Sequence, residues 1–306
     1  LQLTLLADRG LDISELTYKG INIGLRNKVS MRSPALYQEN GASGFLKQFY
    51  GGMMATCGIT YAGAAGRDGD QELGLHGPFN NTPAEQVCAR VDYQGDERVL
   101  RVSGQVHEAE VFATDMLMKR DFTLESERDI LHVRDTVINQ SYATQPVMLI
   151  YHINFGYPML DAGARVYLSA GKVEARTDFA QQGMHNYTEM EEPGCGRDEQ
   201  CYFHTEQPQD GEAFAMLHNE KLGLAAIVRF DQKVFPLMCE WKCMRAGEYA
   251  LGLEPTTSGV TNRAEAREAG LLSYLEPGES REYNASIELT EDKAVIEHYK
   301  AIAHKA

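Results

Sequence analysis

The strongest constraint on the fold of this sequence is a series of short apolar or alternating segments, separated by turn residues every eight to twelve positions. Examples are "RVLRVSGQV", "DILHVRDTVIN", "LGLAAIVRF" and "SREYNASIEL". Gly, Asp, Asn and Pro occupy connections such as "YQGDE" and "EPGES", where the chain has to reverse its direction. This spacing predicts an all-β protein, built as an antiparallel sandwich or barrel.

Helical patterns are scarce. The segment "ASGFLKQF" predicts a short helix, and "TEDKAVIEHYKAIAHK" predicts a C-terminal helix capped by Thr290. No repeat and no linker-like stretch divides the chain, so we expect one domain over residues 1–306. The opening "LQLTLLADRG" has no initiator Met and is compatible with the loss of one or more N-terminal strands by truncation.

The composition agrees with a soluble globular chain that has a large core. The 306 residues are 43% apolar and 24% charged. The net charge of −15 is spread along the chain and disfavours binding to nucleic acid or to an anionic membrane. No apolar run approaches the roughly 18 residues that cross a bilayer.

The six cysteines include no C-x-x-C pair, and a chain of this length does not need disulfides for its stability. We therefore expect reduced thiols and a cytoplasmic protein, since no signal peptide is visible. We expect a monomer or a homodimer. The polar stretch from Thr188 to Gln200 is expected to be a solvated loop, with a lid or a dimer contact as the alternative.

Three places combine a titratable residue with an apolar or glycine-rich strand pattern. They are His76 in "ELGLHGPFNN", His152 with Asn154 in "VMLIYHINFGYP", and Glu254 in "YALGLEPTTSG". A single histidine in a strand more often has a packing role than a catalytic one. Pro255 forces an extended backbone on Glu254, and a carboxylate in apolar surroundings needs a partner or a chemical task.

The hairpin before Glu254 decides which side chain lies beside that carboxylate. With an even-numbered loop, Trp241 falls opposite Gly252 and on the face of Glu254, with open space above the glycine. With an odd-numbered loop, Lys242 takes that face instead. A tryptophan beside a carboxylate suits a sugar, because the indole covers C–H groups while polar groups bind the hydroxyls. The sequence alone leaves both arrangements open.

Several motifs, taken in order, resemble the aldose 1-epimerase (galactose mutarotase) superfamily. They are "DRGLDI", "GGMMATCG", "LGLHG", "YHINFGYP" and "LEPTT", and the similarity runs from Asp8 to near Gly278. The sequence is most similar to a divergent branch of unknown specificity. The resemblance implies a galactose mutarotase-like β-supersandwich of mainly antiparallel strands with few short helices.

The same resemblance implies a mechanism. His152 corresponds to the family's general acid, Glu254 to its general base, and His76 to a histidine that hydrogen-bonds the substrate. These roles imply interconversion of the α and β anomers of a monosaccharide, without a metal or a cofactor, by a carboxylate and an imidazole on opposite sides of the sugar ring. Asn154 shares the strand face of His152, so it is expected to contact the sugar or to hold His152 in place.

The sequence departs from the family pattern at two substrate-binding positions. Typical members carry an arginine roughly 25 residues before the first histidine, where this chain reads "YGGMM", and an aspartate well before the final glutamate. Arg9, Lys242 and Glu240 are the candidates to replace them. Because these contacts are made to hydroxyl groups, the departures affect the expected choice of sugar more than the acid–base pair.

Two other functions fit the same residues. His76, His152 and Glu254 are also a two-histidine, one-carboxylate ligand set, so a metal-dependent sugar isomerase or lyase is one alternative. The other alternative is a non-catalytic carbohydrate-binding or sensing domain, because a fold does not determine a function.

Overall fold

The computed structural model describes residues 1–95, 97–125, 128–206, 208 and 213–303 of the chain. The strands are β1 Gln2–Leu6, β2 Asp12–Tyr18, β3 Ile21–Asn22, β4 Leu25–Arg26, β5 Gly51–Gly52, β6 Met54–Cys57, β7 Gly66–Asp68, β8 Gln71–Leu73, β9 Ala84–Gln94, β10 Glu97–Ala109, β11 Asp115–Glu125, β12 Ile130–Asn139, β13 Gln145–Val147, β14 Ile150–Phe155, β15 Arg165–Leu168, β16 Lys172–Ala175, β17 Gln200–Thr205, β18 Ala213–Asn219, β19 Leu224–Phe230, β20 Leu237–Cys243, β21 Ala250–Thr256, β22 Ser273–Leu275 and β23 Ser280–Thr290. The α-helices are α1 Gly41–Leu46, α2 Asp178–Gln182, α3 Arg263–Glu268 and α4 Lys293–Ile302, and two 3₁₀ turns span Pro34–Leu36 and Phe79–Asn81.

Two large antiparallel sheets dominate the described structure. One has nine strands in the order β1-β2-β6-β14-β21-β20-β17-β16, with β3 paired to β2. The other has eight strands in the order β15-β18-β19-β23-β12-β11-β10-β9. Three two-stranded sheets, β4-β5, β7-β8 and β13-β22, lie outside them. The prediction of an all-β, mainly antiparallel architecture with few helices is therefore confirmed.

The main hydrophobic core lies between the two large sheets. Because successive strand residues face opposite sides, Tyr151 and Ile153 on β14 enter this core while His152 faces away from it. The ring of Tyr151 packs 4.9 Å from that of Phe235, which in turn lies 5.4 Å from Tyr283 on β23 of the other sheet. Packing in this core therefore holds β14 in place on the face opposite His152.

A fully buried ion network also joins the sheets. Arg120 on β11 donates hydrogen bonds to Asp135 on β12, to Asp12 on β2 and to Thr56 on β6. The hydroxyl of Tyr151 donates to the same Asp135 carboxylate at 2.7 Å. The residue next to His152 is therefore held both by packing and by a charge-assisted hydrogen bond.

The helices agree in part with the sequence. The short helix predicted in "ASGFLKQF" is α1. The C-terminal helix begins later than predicted: Asp292, rather than Thr290, is its cap and accepts a hydrogen bond from the Ala294 amide, while Thr290 accepts one from Asp292. The end of the predicted helix, residues 304–305, lies outside the described residues. In the described part of the chain, no helix has the length and apolar character needed to span a membrane.

Candidate active site

The candidate site begins with a histidine and a glutamate at the centre of the nine-stranded sheet. The register that pairs Ile153 of β14 with Leu253 of β21 places His152 directly across from Glu254. Side chains opposite each other on neighbouring strands are close enough to interact. Here the Nδ1 of His152 lies 3.2 Å from Oε1 of Glu254, and the two residues are 5% and 2% exposed.

Gly252 makes room for this contact. A Cβ at Gly252 would lie 2.1 Å from Oε1 of Glu254 and 3.2 Å from Cβ of Trp241. The space above the glycine, which the sequence predicts to be open, is therefore filled by the Glu254 carboxylate itself. Only a residue without a side chain leaves Glu254 free to reach His152.

Buried polar atoms without an aligned hydrogen-bond partner lie together around the pair. Among the described residues these atoms include Nδ1 of His152, Oε1 of Glu254 and Oδ1 of Asn154. The 3.2 Å contact is short enough for a hydrogen bond but is poorly aligned in this ligand-free arrangement. Unpaired buried groups are costly, and in active sites they are the groups that align when the substrate binds.

Burial controls the protonation of both members of the pair. It raises the pKa of Glu254 well above the ordinary value, with the neighbouring Cys201 and Glu199 adding to the rise and Cys239 and Arg176 opposing it. Burial also lowers the pKa of His152 to about 4. Burial therefore favours the uncharged form of each group, a protonated carboxyl group and a neutral imidazole.

Trp241 lies beside this pair. The observed register pairs Trp241 with Gly252 and Cys243 with Ala250, so the hairpin loop is the even-numbered one. The indole lies 5.4 Å from the His152 ring and donates a hydrogen bond from Nε1 to Glu199 at 2.8 Å. The structure therefore selects the arrangement in which the tryptophan, not Lys242, faces the cavity.

His76 enters the site from the loop after β8. Its backbone φ of 62° is an uncommon value for a residue other than glycine, and its amide donates to the Gly63 carbonyl at 2.8 Å. The Gly63 amide in turn donates to Nδ1 of His76 at 3.3 Å. Burial lowers the pKa of His76 well below its usual range. The ring is thus neutral, with its proton on Nε2.

A cavity of about 440 Å³ contains these side chains, a volume in the usual range for small-molecule sites. Its apolar walls come from α1 and the facing loops, and its polar floor comes from the sheet. The lining residues are Ala42, Phe45, Leu46, Phe49, Ala64, Ala65, Leu75, His76, His152, Arg176, Glu199, Cys201, Cys239, Trp241, Glu254 and Val260.

Comparison with known proteins gives the family of the chain. The family model "Domain of unknown function (DUF4432)" matches residues 1–289. The chain belongs to the DUF4432 family. A comparison with curated proteins found no match.

Solved structures show which fold this DUF4432 protein has. A Klebsiella pneumoniae protein, named a "putative aldose 1-epimerase", is 24% identical with a TM-score of 0.92, over 98% of this chain and 79% of that one. A galactose mutarotase-like protein from Clostridium acetobutylicum is 15% identical with a TM-score of 0.65, over 94% and 92%. A galactose mutarotase related enzyme from Lactobacillus acidophilus is 13% identical with a TM-score of 0.62, over 94% of both chains. The predicted galactose mutarotase-like fold is therefore confirmed.

The structure places Arg9 outside the cavity of this DUF4432 protein. Its guanidinium group is fully buried, donates to the carbonyls of Arg32 and Gln48, and stacks over Tyr50 at 4.8 Å. The expected contact between Arg9 and a substrate does not fit this geometry. Arg9 instead anchors the segment just before Phe49, which is a wall of the cavity.

Lys242 and Glu240 also point away from the cavity, because they alternate with Cys239 and Trp241 along β20. Lys242 donates to the carbonyls of Asn186 and Glu189 and pairs with Glu191 at 2.8 Å. The expectation that Lys242 contacts the sugar is corrected by the register. Glu240 lies 3.0 Å from Nε2 of His204, which makes a second buried His–Glu pair on the opposite face of the sheet.

Asn154 supports His152 and does not line the cavity. It is fully buried, and its Nδ2 donates to the carbonyl of His152 at 2.9 Å. Of the two roles expected for Asn154, this contact fits the one that holds His152 in place.

The polar or titratable lining residues that sequence patterns missed are Arg176, Glu199, Cys201 and Cys239. The last two become recognisable only once the strand register is known, since Cys201 pairs with Trp241 and Cys239 with Glu254. Arg176 follows β16, and Glu199 lies near the end of the loop expected to be merely solvated. No local motif marks either residue.

In the described residues, no group of three or more His, Cys, Asp or Glu side chains has the geometry to hold a metal ion. The rings of His76 and His152 meet edge to face with centroids 5.6 Å apart, and Nδ1 of His76 already accepts the Gly63 amide. The arrangement is better suited to proton transfer.

Proposed function

We propose that this protein is a sugar mutarotase of the aldose 1-epimerase type, in which Glu254 is the general base and His152 the general acid. The observation that carries the proposal is the buried 3.2 Å contact between these two groups at the floor of a cavity with an aromatic wall. The fold shared with galactose mutarotase-like proteins supports it.

The contact suits the two oxygen atoms of the sugar at which a mutarotase must transfer protons. In a cyclic hemiacetal, the ring oxygen and the hydroxyl oxygen are both bonded to C1, so one adjacent acid–base pair can reach both. Glu254 takes the proton of the C1 hydroxyl while His152 protonates the ring oxygen. The ring then opens, the C1–C2 bond rotates, and closure on the other face completes the exchange. Each positioned group typically contributes about 10²- to 10⁴-fold in rate.

The protonation of the empty site is compatible with this assignment. Burial favours the protonated carboxyl group and the neutral imidazole in the empty site, and a substrate that pairs with the ionised carboxylate and the imidazolium moves the carboxyl proton from Glu254 to His152. Because the two groups are in contact, their titrations belong to the pair and not to either residue alone. The reverse reaction uses the same groups with exchanged roles, so no metal or cofactor takes part.

Other cavity residues supply the binding contacts. The indole of Trp241 covers the C–H groups of a sugar, and the Nε2–H of His76 donates to a hydroxyl. Arg176 and Glu199 take the hydroxyl-binding roles for which the sequence offered Arg9 and Lys242. Both are exposed at the cavity.

Anomer exchange measured by NMR tests the proposal. A panel of neutral and acidic sugars is equilibrated, and exchange between the α and β signals is measured with and without catalytic amounts of protein. We expect protein-dependent exchange for at least one sugar, unaffected by a metal chelator. If sugars bind and no anomer exchanges faster, the protein is a carbohydrate-binding domain and the proposal is wrong.

We also propose that the protein is cytoplasmic, that it is a monomer or a homodimer, and that its partner is a small molecule.

A further inference from the structure

A second cavity adjoins the candidate site. It has a volume of about 510 Å³ and shares four lining residues with the first, namely Leu46, Phe49, Glu199 and Trp241. Its other lining residues include Lys28, Val29, Cys243, Arg245, Glu248 and Ala250. We call this second cavity the outer compartment and the catalytic cavity the inner one.

The two compartments lie on one continuous face of the sheet. Cys243 and Ala250, a directly paired couple in β20 and β21, continue the face that carries Trp241 and Gly252. Their small side chains leave space above the floor of the outer compartment. A ligand can therefore extend along the sheet from Glu254 past the indole.

The residues at the boundary suit a ligand that crosses it. The Trp241 side chain is held by Glu199 on one side and by the edges of His152 and Phe49 on the other, so its orientation is fixed. Leu46 on α1 is 56% exposed, although it is a large apolar residue beside the cavity. Apolar groups that stay exposed around a polar site match the C–H faces of sugar rings.

The charges of the outer compartment favour a neutral polyhydroxyl group over an anion. Lys28 is paired with Glu248, and Arg245 lies 3.1 Å from Asp198 and 3.5 Å from Glu248. Both cations are thus already neutralised by carboxylates, and Glu199 adds a further negative charge. Such a surface repels a phosphate or a carboxylate but offers both donors and acceptors to hydroxyl groups.

We infer that the preferred substrate is a reducing disaccharide, with its reducing-end ring in the inner compartment and its second ring in the outer one. This inference rests on the proposed mutarotase function and replaces the free monosaccharide expected from the sequence. The free C1 hydroxyl at the reducing end meets the His152–Glu254 pair, and the glycosidic linkage passes Trp241.

The test compares sugars that share one reducing unit. Anomer exchange is measured for glucose and for maltose, cellobiose, lactose and isomaltose, each of which has a reducing glucose, and for galactose with galactobiose. We expect kcat/KM for at least one disaccharide to exceed that of its monosaccharide by tenfold or more.

Variants of the outer compartment give the second part of the test. Val29→Phe fills much of the compartment without adding a second tryptophan, and it is expected to lower the disaccharide-to-monosaccharide ratio of kcat/KM at least tenfold. Lys28→Ala is expected to lower the ratio severalfold. Lys19→Ala is the matched control, since Lys19 forms a comparably exposed pair with Glu291 far from the cavities, and it should leave the ratio unchanged.

Binding is followed separately through Trp241, which is the only tryptophan in the sequence. If monosaccharides exchange as fast as disaccharides and Val29→Phe leaves the ratio unchanged, the inference is overturned while the mutarotase proposal stands. If no sugar exchanges but disaccharides change the fluorescence at lower concentration than monosaccharides, and Val29→Phe abolishes that difference, the ligand class stands and the catalytic proposal fails. Equal binding without exchange overturns both.

Discussion

Gly252 is a residue whose importance lies in the side chain that it lacks. Any Cβ there would meet the carboxylate of Glu254 at 2.1 Å. Because the atom in conflict is the far end of a flexible side chain, the fold can adapt by turning Glu254 away from His152. The cost of a substitution therefore falls on the acid–base contact more than on stability.

This predicts a specific phenotype for Gly252→Ala. We expect the rate of anomer exchange to fall by about 10²-fold or more, the typical contribution of one positioned acid–base group. The thermal midpoint should change little, and sugar binding followed by Trp241 fluorescence should be largely kept. Wild-type exchange rates in this variant would show that Glu254 does not need its observed position.

The raised pKa of Glu254 has a consequence for stability. A carboxyl group whose pKa is higher in the folded than in the unfolded protein binds more protons when folded, so it lowers stability as pH rises from about 4.5 upward through its folded pKa. A neutral glutamine at this position has no such dependence.

We therefore expect Glu254→Gln to be more stable than the wild type at pH 7 to 8, although it is inactive. A gain of about 1 kcal/mol corresponds to roughly 2 to 4 °C in the Tm of domains near this size. The gain should shrink as the pH is lowered towards 4, where Glu254 is protonated in both states. The lowered pKa of His152 also reduces the stability of the wild type at acidic pH. Thermal melts across this pH range would refute the assignment if the two proteins differed equally at every pH.

At the scale of elements, the β20–β21 hairpin directs a ligand-binding side chain and a structural side chain to opposite faces of the sheet. Its register sends Trp241 into the cavity and Lys242 to the other side of the sheet, where Lys242 holds the loop at Asn186 and Glu189. Adjacent residues therefore have different roles for a purely geometric reason.

Substituting these neighbours should produce opposite results. Trp241→Ala removes the aromatic surface and should raise KM about tenfold, the equivalent of about 1.4 kcal/mol, with a small change in Tm. Lys242→Met removes donors from a buried site and should cost about 1–3 kcal/mol in stability with KM little changed. Steady-state kinetics and urea unfolding of both variants measure the two effects. A higher KM in Lys242→Met with normal stability would mean that the lysine reaches the substrate.

The hairpin also shows what sequence patterns can and cannot predict. Alternation and turn residues predicted the strands and the antiparallel architecture. The sequence could not decide whether the hairpin loop has an even or an odd number of residues. A register shift of one residue exchanges the faces of Trp241 and Lys242, and the local sequence fits both registers. Sequence patterns did not identify Arg176 and Glu199, because their position at the cavity depends on contacts between distant segments.

At the scale of the whole molecule, contacts between the two sheets hold the His152–Glu254 pair in place from the core side of β14. The Arg120 network joins both sheets beneath β14, and the Tyr151 hydroxyl binds Asp135 within it. The residue roles that the family resemblance implied for His152 and Glu254 correspond to neighbours in space, although about 100 residues separate them in the chain. The resemblance could not show that the two groups touch, since the expected geometry placed them on opposite sides of the sugar ring.

The most direct test of the central claim uses the second buried His–Glu pair as a matched control. His204 and Glu240 have the same residue types, similar burial and the same sheet, but they face away from the cavity. NMR exchange rates are compared for Glu254→Gln and His152→Asn against Glu240→Gln and His204→Asn, with the folded fraction of each variant measured alongside. We expect the first two to lose at least about 10²-fold in rate while they still bind sugar, and the second two to stay within a few-fold of the wild type per folded molecule. Equal losses in both sets, or unchanged exchange in Glu254→Gln and His152→Asn, would contradict the assignment of the acid–base pair.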